Sequence, residues 1–433
     1  MRYYMHTMKL MFAAIALALL HCHVSCAADR FVSLSGTNDF ANKFTTWSGA
    51  ATDIQWAVNA ALPGETVWVS NGTYYLTNHV FITNGILLKS FSGTFTDTTV
   101  NGNNYAAKGI TNRCFYLNHS NLVVDGFTIT NGYMTGANAY GAGVFMAAGT
   151  LKACLVTGNT ASNSADVTTG GGGVCASGLS SLITNCDIIA NLVYDAGPTS
   201  DGGGGVMLRT GAQAWNSRIK FNQCPIYWSA GGAVHCYDGT PLLVNCEIIS
   251  NTAANAYNCG GVYVRLAAVL RNCLIVGNAR GNASSPAAGV GTSGAGTKVS
   301  LENCTIAGNT GQGIGTSWHG GDFYLTNTVC YSNTIATIST ANGALVMVNS
   351  CVSSTNNMTG GSNTTTNNPV FENYAAGNYR LSRQSPCINA GVYHAWMNTI
   401  NDLDNKSRAD KFSGIPDIGC YEYHPQGLMF KVR

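Results

Sequence analysis

The amino-acid sequence predicts an all-β protein that folds as a single-stranded parallel β-helix, a solenoid of stacked coils. Two repeated motifs and the composition support this prediction. An Asn phrase returns at steps of 22 to 31 residues and a Gly-turn motif at steps of 28 to 32, while the 433 residues include 51 glycines and only 10% charged residues. A loosely fixed period of this size is typical of solenoids with loops of variable length. The repeats show no helical hydrophobic spacing, so short strands broken by Gly and Asn remain.

The Asn phrase is clearest at residues 243–251, where Asn245 is followed by Cys246 and a second asparagine, Asn251, closes the phrase. A coil turns each corner within one or two residues, which requires a residue with a positive φ. Apart from Gly, Asn is the residue type that tolerates a positive φ best. Stacked about 4.8 Å apart, the leading asparagines would form a hydrogen-bonded ladder along one corner. This predicted structural ladder consists of Asn185, Asn216, Asn245, Asn272, Asn303, Asn327 and Asn349.

The second motif is a Gly-containing turn that precedes a short β run. The first valine of each run marks the period, and its steps agree with those of the Asn phrase. These valines are Val144, Val174, Val206, Val234, Val262 and Val290. Two independent columns with compatible spacing indicate one stacked architecture.

The chain divides into five parts. Residues 1–27 have the basic start, apolar run and small-residue end of a secretory signal peptide. Residues 28–66 form an N-terminal cap, in which Thr52 would begin a short amphipathic helix over residues 52–61 that covers the end of the solenoid. The coils occupy residues 67–355, a polar linker follows over 356–367, and residues 368–433 form a small C-terminal module. Beyond the signal, no stretch is long and apolar enough to span a membrane.

The C-terminal module carries five phrases in series. They are Asn368-Pro369-Val370-Phe371, Gly377-Asn378-Tyr379-Arg380-Leu381, Ser385-Pro386-Cys387-Ile388-Asn389-Ala390-Gly391, Asp402-Leu403-Asp404-Asn405 with Arg408, and Asp417-Ile418-Gly419-Cys420-Tyr421-Glu422. This series resembles the bacterial choice-of-anchor Q module, which follows right-handed parallel β-helices. The coils resemble pectate-lyase-like β-helices and, more weakly, the repeats of polymorphic outer-membrane proteins. The resemblance implies a right-handed coil and a protein that is secreted or displayed on the bacterial surface, in the extracellular space or at the outer membrane.

The 16 cysteines suggest two roles. Cys186, Cys246, Cys273 and Cys304 follow leading asparagines at positions where sister coils have Ser or Thr, so these positions favour a small buried side chain over a disulfide partner. Cys387 and Cys420, both in the C-terminal module, form the most plausible disulfide pair of this secreted chain.

Candidate binding residues lie beside the valine column. If Val206, Val234 and Val262 point inward, the alternate residues of the same strands point outward. The outward rows then hold Met207, His235 and Tyr263 and, two positions later, Arg209, Tyr237 and Arg265, with Asp238 nearby. Arginines pair with the carboxylates of uronic acids and aromatic rings stack on sugars, so these rows indicate a glycan-binding face. The alternative is a solvated sheet face whose residues simply suit a strand.

Catalysis requires more than this face shows. A polysaccharide lyase needs a base, for which Arg265, His235 or Tyr237 are candidates, and a group that neutralises the substrate carboxylate, often Ca²⁺ held by several acids. A hydrolase needs two opposed carboxylates. The acids of the coils are scattered, so no catalytic residue, cofactor or metal ligand is assigned to the face. In the C-terminal module, Asp402-x-Asp404-Asn405 could hold Ca²⁺ or form a turn with a salt bridge to Arg408.

Three functions therefore remain open. The first is a non-catalytic extracellular or cell-surface protein that binds an extracellular polysaccharide or a cell-surface glycan, as an adhesin does. The second is a polysaccharide lyase or glycoside hydrolase that acts on an acidic polysaccharide at the outward face. The third is a purely structural stalk. The net charge of +2 argues against general nucleic-acid binding.

Overall fold

The computed structural model describes residues 28–103, 111–136, 138–163, 169–195, 202–225, 230–254, 258–281, 287–316, 320–335, 338, 343–410 and 413–424. The predicted signal peptide, residues 1–27, lies outside these ranges. The described chain is nearly all β, and its strands pair in parallel from coil to coil, which confirms the predicted parallel β-helix. None of the helices in the described ranges has the length and apolar character needed to cross a bilayer.

Within the described residues, two large parallel sheets form the walls of the solenoid. The first sheet contains Arg30–Val32, Thr66–Val69, Val80–Ile82, Leu87–Ser90, Phe115–Asp125, Val144–Lys152, Val174–Ser177, Ser181–Thr184, Val206–Arg209, Gln213–Trp215, Val234–Cys236, Leu242–Val244, Val262–Val264, Ala267–Arg271, Val290–Thr292, Lys298–Glu302, Ile314–Thr316, Asp322–Thr326, Leu345–Val348 and Gly360–Ser362. The second contains Gly72–Tyr75, Thr98–Asn101, Thr128–Thr130, Leu155–Thr157, Asp187–Ile189, Arg218–Lys220, Glu247–Ile249, Leu274–Val276, Thr305–Ala307, Val329–Tyr331 and Cys351–Val352.

Shorter pairings complete the coils. Tyr133–Thr135, Thr160–Asn163 and Leu192–Asp195 form a three-stranded sheet, and two-stranded pairs join Gly202–Gly203 to Ala230–Gly231 and Thr252–Ala253 to Ala279–Arg280. The C-terminal segment adds the antiparallel hairpin Phe371–Asn373 and Asn378–Leu381, with 3₁₀ turns at Tyr374–Ala376 and Ala395–Asn398.

The valine column is confirmed in register. Val144 pairs with Val174, Val174 with Val206, Val206 with Val234, and the series continues through Val262 to Val290. All six side chains are fully buried in the core of the solenoid. Because strand side chains alternate between the two faces of a sheet, this column also fixes which residues face away from the core.

The leading asparagines occupy one corner, between the first and the second sheet. All seven have φ between 45° and 57°, the left-handed region that a tight corner requires. Their side chains do not form a continuous ladder. Direct bonds between side-chain amides join two separate pairs, Asn272 to Asn245 at 2.8 Å and Asn327 to Asn303 at 3.1 Å. The structure assigns the continuous ladder to a different column.

That ladder is formed by the asparagines that close each phrase. The Nδ2 of Asn191 donates to Oδ1 of Asn222 at 3.1 Å, and the Nδ2 of Asn222 donates to Oδ1 of Asn251 at 3.0 Å. Each Oδ1 also accepts the backbone N–H of the asparagine in the preceding coil. The same pattern joins Asn159, Asn191, Asn222, Asn251, Asn278, Asn309 and Asn333. Such buried amides need partners for every polar atom, and stacking supplies them.

The Gly-turn motif and this closing ladder meet inside each coil. A Cβ at Gly205 would lie 2.9 Å from Cγ of Asn222, and a Cβ at Gly173 would lie 2.9 Å from Nδ2 of Asn191. These distances are shorter than van der Waals contact allows. In these two coils the glycine before the valine leaves room for the closing asparagine of the same coil, whereas Val234 follows an alanine, Ala233.

The cysteines that follow leading asparagines are buried and reduced, in agreement with the predicted structural role. The Sγ of Cys246 lies 3.4 Å from the carbonyl oxygen of Val244, two residues earlier. In a sister coil, the hydroxyl of Ser217 makes the equivalent bond to Trp215 at 2.7 Å. A small donor at this position thus satisfies a carbonyl at the corner.

The N-terminal cap contains one α-helix, α1, over Ile54–Ala60. It is shorter than the predicted range 52–61, and its N-cap is Asp53, whose side chain accepts the N–H of Gln55 at 2.7 Å. Thr52, the predicted cap, instead bonds to Asn38. Ile54, Ala57 and Val58 are buried against the first coils.

Part of the segment predicted as a linker, residues 356–367, continues the solenoid. Gly360–Ser362 pairs in parallel with Leu345–Val348. Two further backbone bonds, from Asn349 to Ser362 at 3.0 Å and from Thr365 to Ser350 at 2.8 Å, extend this pairing. Gly and Thr supply few apolar contacts in this last rung, which explains why its sequence resembles a loop.

The chain beyond this rung folds back along the outside of the second sheet. Tyr421 packs with Leu274 and Val276, and Ile418 packs with Val329. Corner asparagines bind its backbone: Asn272 to the carbonyl of Asn401, Asn303 to Asp417, Asn327 to Val392 and Asn349 to Ala390, at 2.7–3.1 Å. The C-terminal segment is therefore docked on the solenoid through the same corner column that turns the coils.

The suggested disulfide between Cys387 and Cys420 is not formed. Cys387 packs beside Cys351, whereas Cys420 packs with Leu274 and Ala307 over other coils. The two cysteines lie in stretches that dock on different coils, and both are reduced.

The turn at Asp402 is held by hydrogen bonds. The carboxylate of Asp402 accepts the N–H groups of Asp404, Lys406 and Glu422 at 2.7–2.9 Å. Asp404 pairs with Arg380 rather than with Arg408. Arg408, which was expected to bridge to this turn, is fully buried and pairs with Glu422 at 3.0 Å.

Candidate binding face

The residues predicted from the outward rows converge on one point of the first sheet. The ring of Tyr237 lies between two guanidinium groups, with the centre of Arg209 4.9 Å and that of Arg265 4.4 Å from the ring centroid. These are cation–π distances, which hold the two side chains in defined positions. We call Arg209, Tyr237 and Arg265, together with His235 beneath them, the arginine–tyrosine cluster.

Strand register places this cluster. Met207 pairs with His235, and His235 with Tyr263, so the row beside the valines steps by one coil each time. The next outward row follows two residues later, where backbone bonds join Tyr237 to Leu208 and Arg265 to Cys236. Arginines two coils apart would lie about 10 Å apart along the axis, and the intervening tyrosine fills that space.

Asp238 belongs to the same site and partly neutralises it. Its carboxylate lies 3.5 Å from Nη2 of Arg209 and also accepts a bond from the hydroxyl of Thr210 at 3.2 Å. Both partners of the ion pair are partly exposed, so this pair adds little to stability. Its main effect is to orient the guanidinium of Arg209.

The first outward row is covered, which the sequence did not predict. Met207 and His235 are fully buried and Tyr263 is 2% exposed. Tyr140 packs over Met207, while Cys259 and Ala287 pack with Tyr263. His235 and Tyr263 were expected as exposed contacts and instead form the floor of the face. The reason is that segments just before the Gly turns fold back over this row.

His235 has an unusual environment. Its ring lies 5.5 Å from Tyr237 and 5.4 Å from Tyr263, and neither ring nitrogen has a hydrogen-bond partner. Burial, assisted by Arg265 and Arg209, lowers the pKa of His235 to about 3, so the ring is neutral at ordinary pH. The Nε of Arg209 is also buried and unpaired. Buried polar atoms without partners are uncommon and point to a ligand or to water.

Two residues that contribute side chains to this face were not predicted from the sequence. Tyr140, just before the turn at Gly141, lies 5.2 Å from the guanidinium of Arg209. Arg113, two residues before the strand Phe115–Asp125, lies 5.2 Å from the ring of Phe145 on the same face. Tyr140 could have been noticed as an aromatic residue adjoining a Gly turn, whereas Arg113 lies outside both repeated motifs.

A second concave region lies at the corner column of the leading asparagines, beside the C-terminal segment. A cavity of about 520 Å³ is lined by Asn185, Asn216 and Asn245 together with Asp402 and Asn405. The acids near it are already paired, Asp187 with Arg218 and Glu247 with Lys220. This region combines neutral amides with acids and with Arg218, unlike the arginine–tyrosine cluster.

The chemistry available on the face is anion recognition. Guanidinium groups are permanently charged and bind carboxylates with two parallel hydrogen bonds. Within the ranges that the structure describes, no group of three or more His, Cys, Asp or Glu side chains is arranged to hold a metal ion. Asp238 is engaged with Arg209, and no opposed second carboxylate accompanies it among the described residues of the cluster.

Comparison with known proteins agrees with the fold. No protein-family model matches this chain, and no curated protein matches its sequence. Among solved structures, pectate lyase Pel9A superposes with a TM-score of 0.52 at 14% identity, covering 92% of this chain and 98% of that one. A rhamnogalacturonan lyase gives 0.37 at 12% identity, covering 89% and 96%. A pectin methylesterase from Aspergillus niger gives 0.32 at 13% identity, covering 64% and 84%. At such identity the likeness to Pel9A concerns the fold alone, and it supports the right-handed parallel β-helix.

Proposed function

We propose that this protein binds an acidic polysaccharide, one rich in uronic acid, at the arginine–tyrosine cluster and without cleaving it. The observation that carries the proposal is the pair of guanidinium groups of Arg209 and Arg265 held on Tyr237 above His235, whose nitrogens lack partners. Carboxylates are the natural complement of such a site. The pectate-lyase fold found by comparison is compatible with a polysaccharide ligand.

Pre-organisation supports this function. A free arginine loses much rotamer entropy when it binds a ligand, and stacking on Tyr237 removes part of that freedom beforehand. The half-buried position of Arg209 strengthens its interaction with an anion, because the local dielectric is lower than in bulk water. The neutral ring of His235 beneath Tyr237 adds no third charge to the face.

The proposed setting is extracellular. The signal-like residues 1–27 favour export, and the five phrases of residues 368–433 favour display on a bacterial surface through an anchoring module of the choice-of-anchor Q type. An adhesin-like protein that holds the cell to an acidic matrix would combine this setting with this face.

Binding should be measured with immobilised polygalacturonate, with dextran as the neutral control. We expect the Arg209→Ala, Arg265→Ala double variant to bind the acidic polymer about tenfold or more weakly, because hydrogen bonds to charged groups contribute about 1.5–3 kcal/mol. Arg383→Ala removes the same charge from an exposed position outside the face and should bind like the wild type. Equal binding by all three proteins would exclude the cluster.

A second candidate function is polysaccharide lyase activity. The observation that favours it is Tyr237 held between the guanidinium groups of Arg209 and Arg265, since β-elimination needs a base beside a neutralised carboxylate. The base takes the proton next to the carboxylate, the carbon–oxygen bond to the leaving sugar breaks, its oxygen takes a proton from water, and a carbon–carbon double bond forms. The product absorbs in the ultraviolet, so rising absorbance with polygalacturonate would identify a lyase, whereas a binding protein leaves the absorbance flat.

A further inference from the structure

A second cationic residue group lies on the same face, several coils nearer the N-terminus. The guanidinium of Arg113 lies 5.8 Å from the ring centroid of Tyr116 and 5.2 Å from that of Phe145. Tyr116 and Phe145 are paired in register, and their rings stack at 5.2 Å with a 25° angle between planes. Phe81 continues the column at 4.9 Å from Tyr116 and is 45% exposed.

Arg113 differs from most arginines of this protein in having no acid beside it. Six described arginines pair with a carboxylate: Arg30 with Glu65, Arg209 with Asp238, Arg218 with Asp187, Arg271 with Glu302, Arg380 with Asp404 and Arg408 with Glu422. Across the described residues, Arg113 has no such partner.

The groups that do act on Arg113 leave its charge uncompensated. Burial lowers the pKa of Arg113, and Cys175 and Tyr116 are the neighbours that counter this effect. Burial also raises the pKa of the Cys175 thiol to about 12, so Cys175 carries no charge near neutral pH. A half-buried cation without a counter-ion is costly unless an anion from outside supplies one.

One strip of paired residues joins the two cationic positions, and the middle of this strip is buried. Cys175 lies between them along the strip, because it pairs with Phe145 on one side and with Met207 on the other. Along the outward row, Tyr116, Phe145, Cys175, Met207, His235 and Tyr263 pair in sequence. Five steps of about 4.8 Å separate the first from the last, so the strip is about 24 Å long.

We propose that Arg113, held between Tyr116 and Phe145, is a second carboxylate-binding subsite and that an acidic polymer lies along the solenoid axis across both cationic positions. This inference rests on the proposed function and deepens it, because it states how the ligand runs. A long chain reaches both subsites at once and gains from their linkage, whereas a short oligomer reaches only one. The ligand class is accordingly an extended polyuronate rather than a small sugar acid.

Arg113→Met tests the subsite, because methionine retains an unbranched apolar side chain against the two aromatic rings and removes the charge. Affinity for long polygalacturonate should be measured at several salt concentrations. We expect a loss of about three- to tenfold and a smaller dependence of affinity on salt, since one fewer charge is engaged. Arg113→Lys keeps the charge and should retain most of the salt dependence.

The outcomes separate this inference from the function it extends. If the wild type and Arg113→Met bind the polymer equally while the Arg209, Arg265 double variant does not, the subsite is wrong and the binding function stands. If the wild type binds no acidic polymer, both are wrong. If Arg113→Met does not fold, Arg113→Gln, which also removes the charge, takes its place: weaker polymer binding with a smaller salt dependence supports the subsite, and wild-type affinity and salt dependence overturn it.

Discussion

Replacement of Asn222 by alanine should strongly destabilise the solenoid. The Asn222 side chain is fully buried and makes four hydrogen bonds. The Nδ2 of Asn222 donates to the carbonyl of Ile188 at 2.8 Å and to Oδ1 of Asn251 at 3.0 Å. The Oδ1 of Asn222 accepts two bonds from Asn191, one from its backbone N–H at 2.9 Å and one from its side-chain Nδ2 at 3.1 Å. Alanine removes all four and leaves their partners buried.

The magnitude follows from the number of bonds lost. A typical hydrogen bond contributes about 1 kcal/mol net, and a buried group left without a partner costs about 1–3 kcal/mol. Asn191 Nδ2 keeps other acceptors, at Val156 and Ile189, and Asn251 Oδ1 keeps the backbone N–H of residue 222. The backbone N–H of Asn191 loses its side-chain acceptor. We therefore expect a loss of about 3–5 kcal/mol in the free energy of unfolding.

Urea unfolding followed by circular dichroism measures this loss. The matched control is Asn118→Ala, because Asn118 is also in a strand but is exposed. The control should change the free energy of unfolding by less than about 0.5 kcal/mol. If Asn222→Ala is no less stable than Asn118→Ala, the closing ladder does not stabilise the fold.

Three further predictions concern the packing and the floor of the face. Gly205→Ala should cost about 1–3 kcal/mol, because a Cβ there would lie 2.9 Å from Cγ of Asn222, and an unchanged urea midpoint would contradict this. Cys246→Ser should cost less than about 1 kcal/mol, since Ser217 occupies the same position in a sister coil, and a large drop in midpoint would be inconsistent with that equivalence. Burial lowers the pKa of His235 to about 3, so the unfolded chain takes up a proton below pH 6.5 that the folded chain does not. The wild type should therefore lose on the order of 2 kcal/mol between pH 6.5 and pH 5 from this residue, and His235→Phe should not; identical pH profiles would reject the assignment.

Local turn chemistry explains why much of the fold could be predicted. A positive φ at a corner and a glycine beside a crowded backbone restrict residue type at single positions, so both recur visibly in the sequence. The valine column from Val144 to Val290 and the left-handed conformation of Asn185 through Asn349 follow directly from those restrictions.

The sequence predicts the ladder at the leading asparagines, whereas it forms at the closing ones, because the direction of each side-chain amide depends on the folded coil. Both asparagines of each phrase adjoin a corner, and the repeat alone does not show which amide turns into the coil. The closing column turns inward and stacks, whereas Asn272, Asn303, Asn327 and Asn349 face the C-terminal segment and bind its carbonyls.

The candidate face shows the same limit of sequence periodicity. Alternation along a strand tells which side of the sheet a residue occupies, and it placed Arg209, Tyr237 and Arg265 correctly beside one another. It does not tell whether that side is covered, so the burial of His235 and Tyr263 was not foreseen.

The central claim is that this face recognises the negative charge of a polysaccharide. The most direct measurement compares the affinity of the wild-type protein for polygalacturonate with its affinity for the same polymer after methyl esterification, which removes the charge and keeps the sugar chain. We expect the esterified polymer to bind at least about tenfold more weakly, because it cannot form charge-assisted hydrogen bonds with Arg209 and Arg265. Equal affinity for the two polymers would contradict the claim.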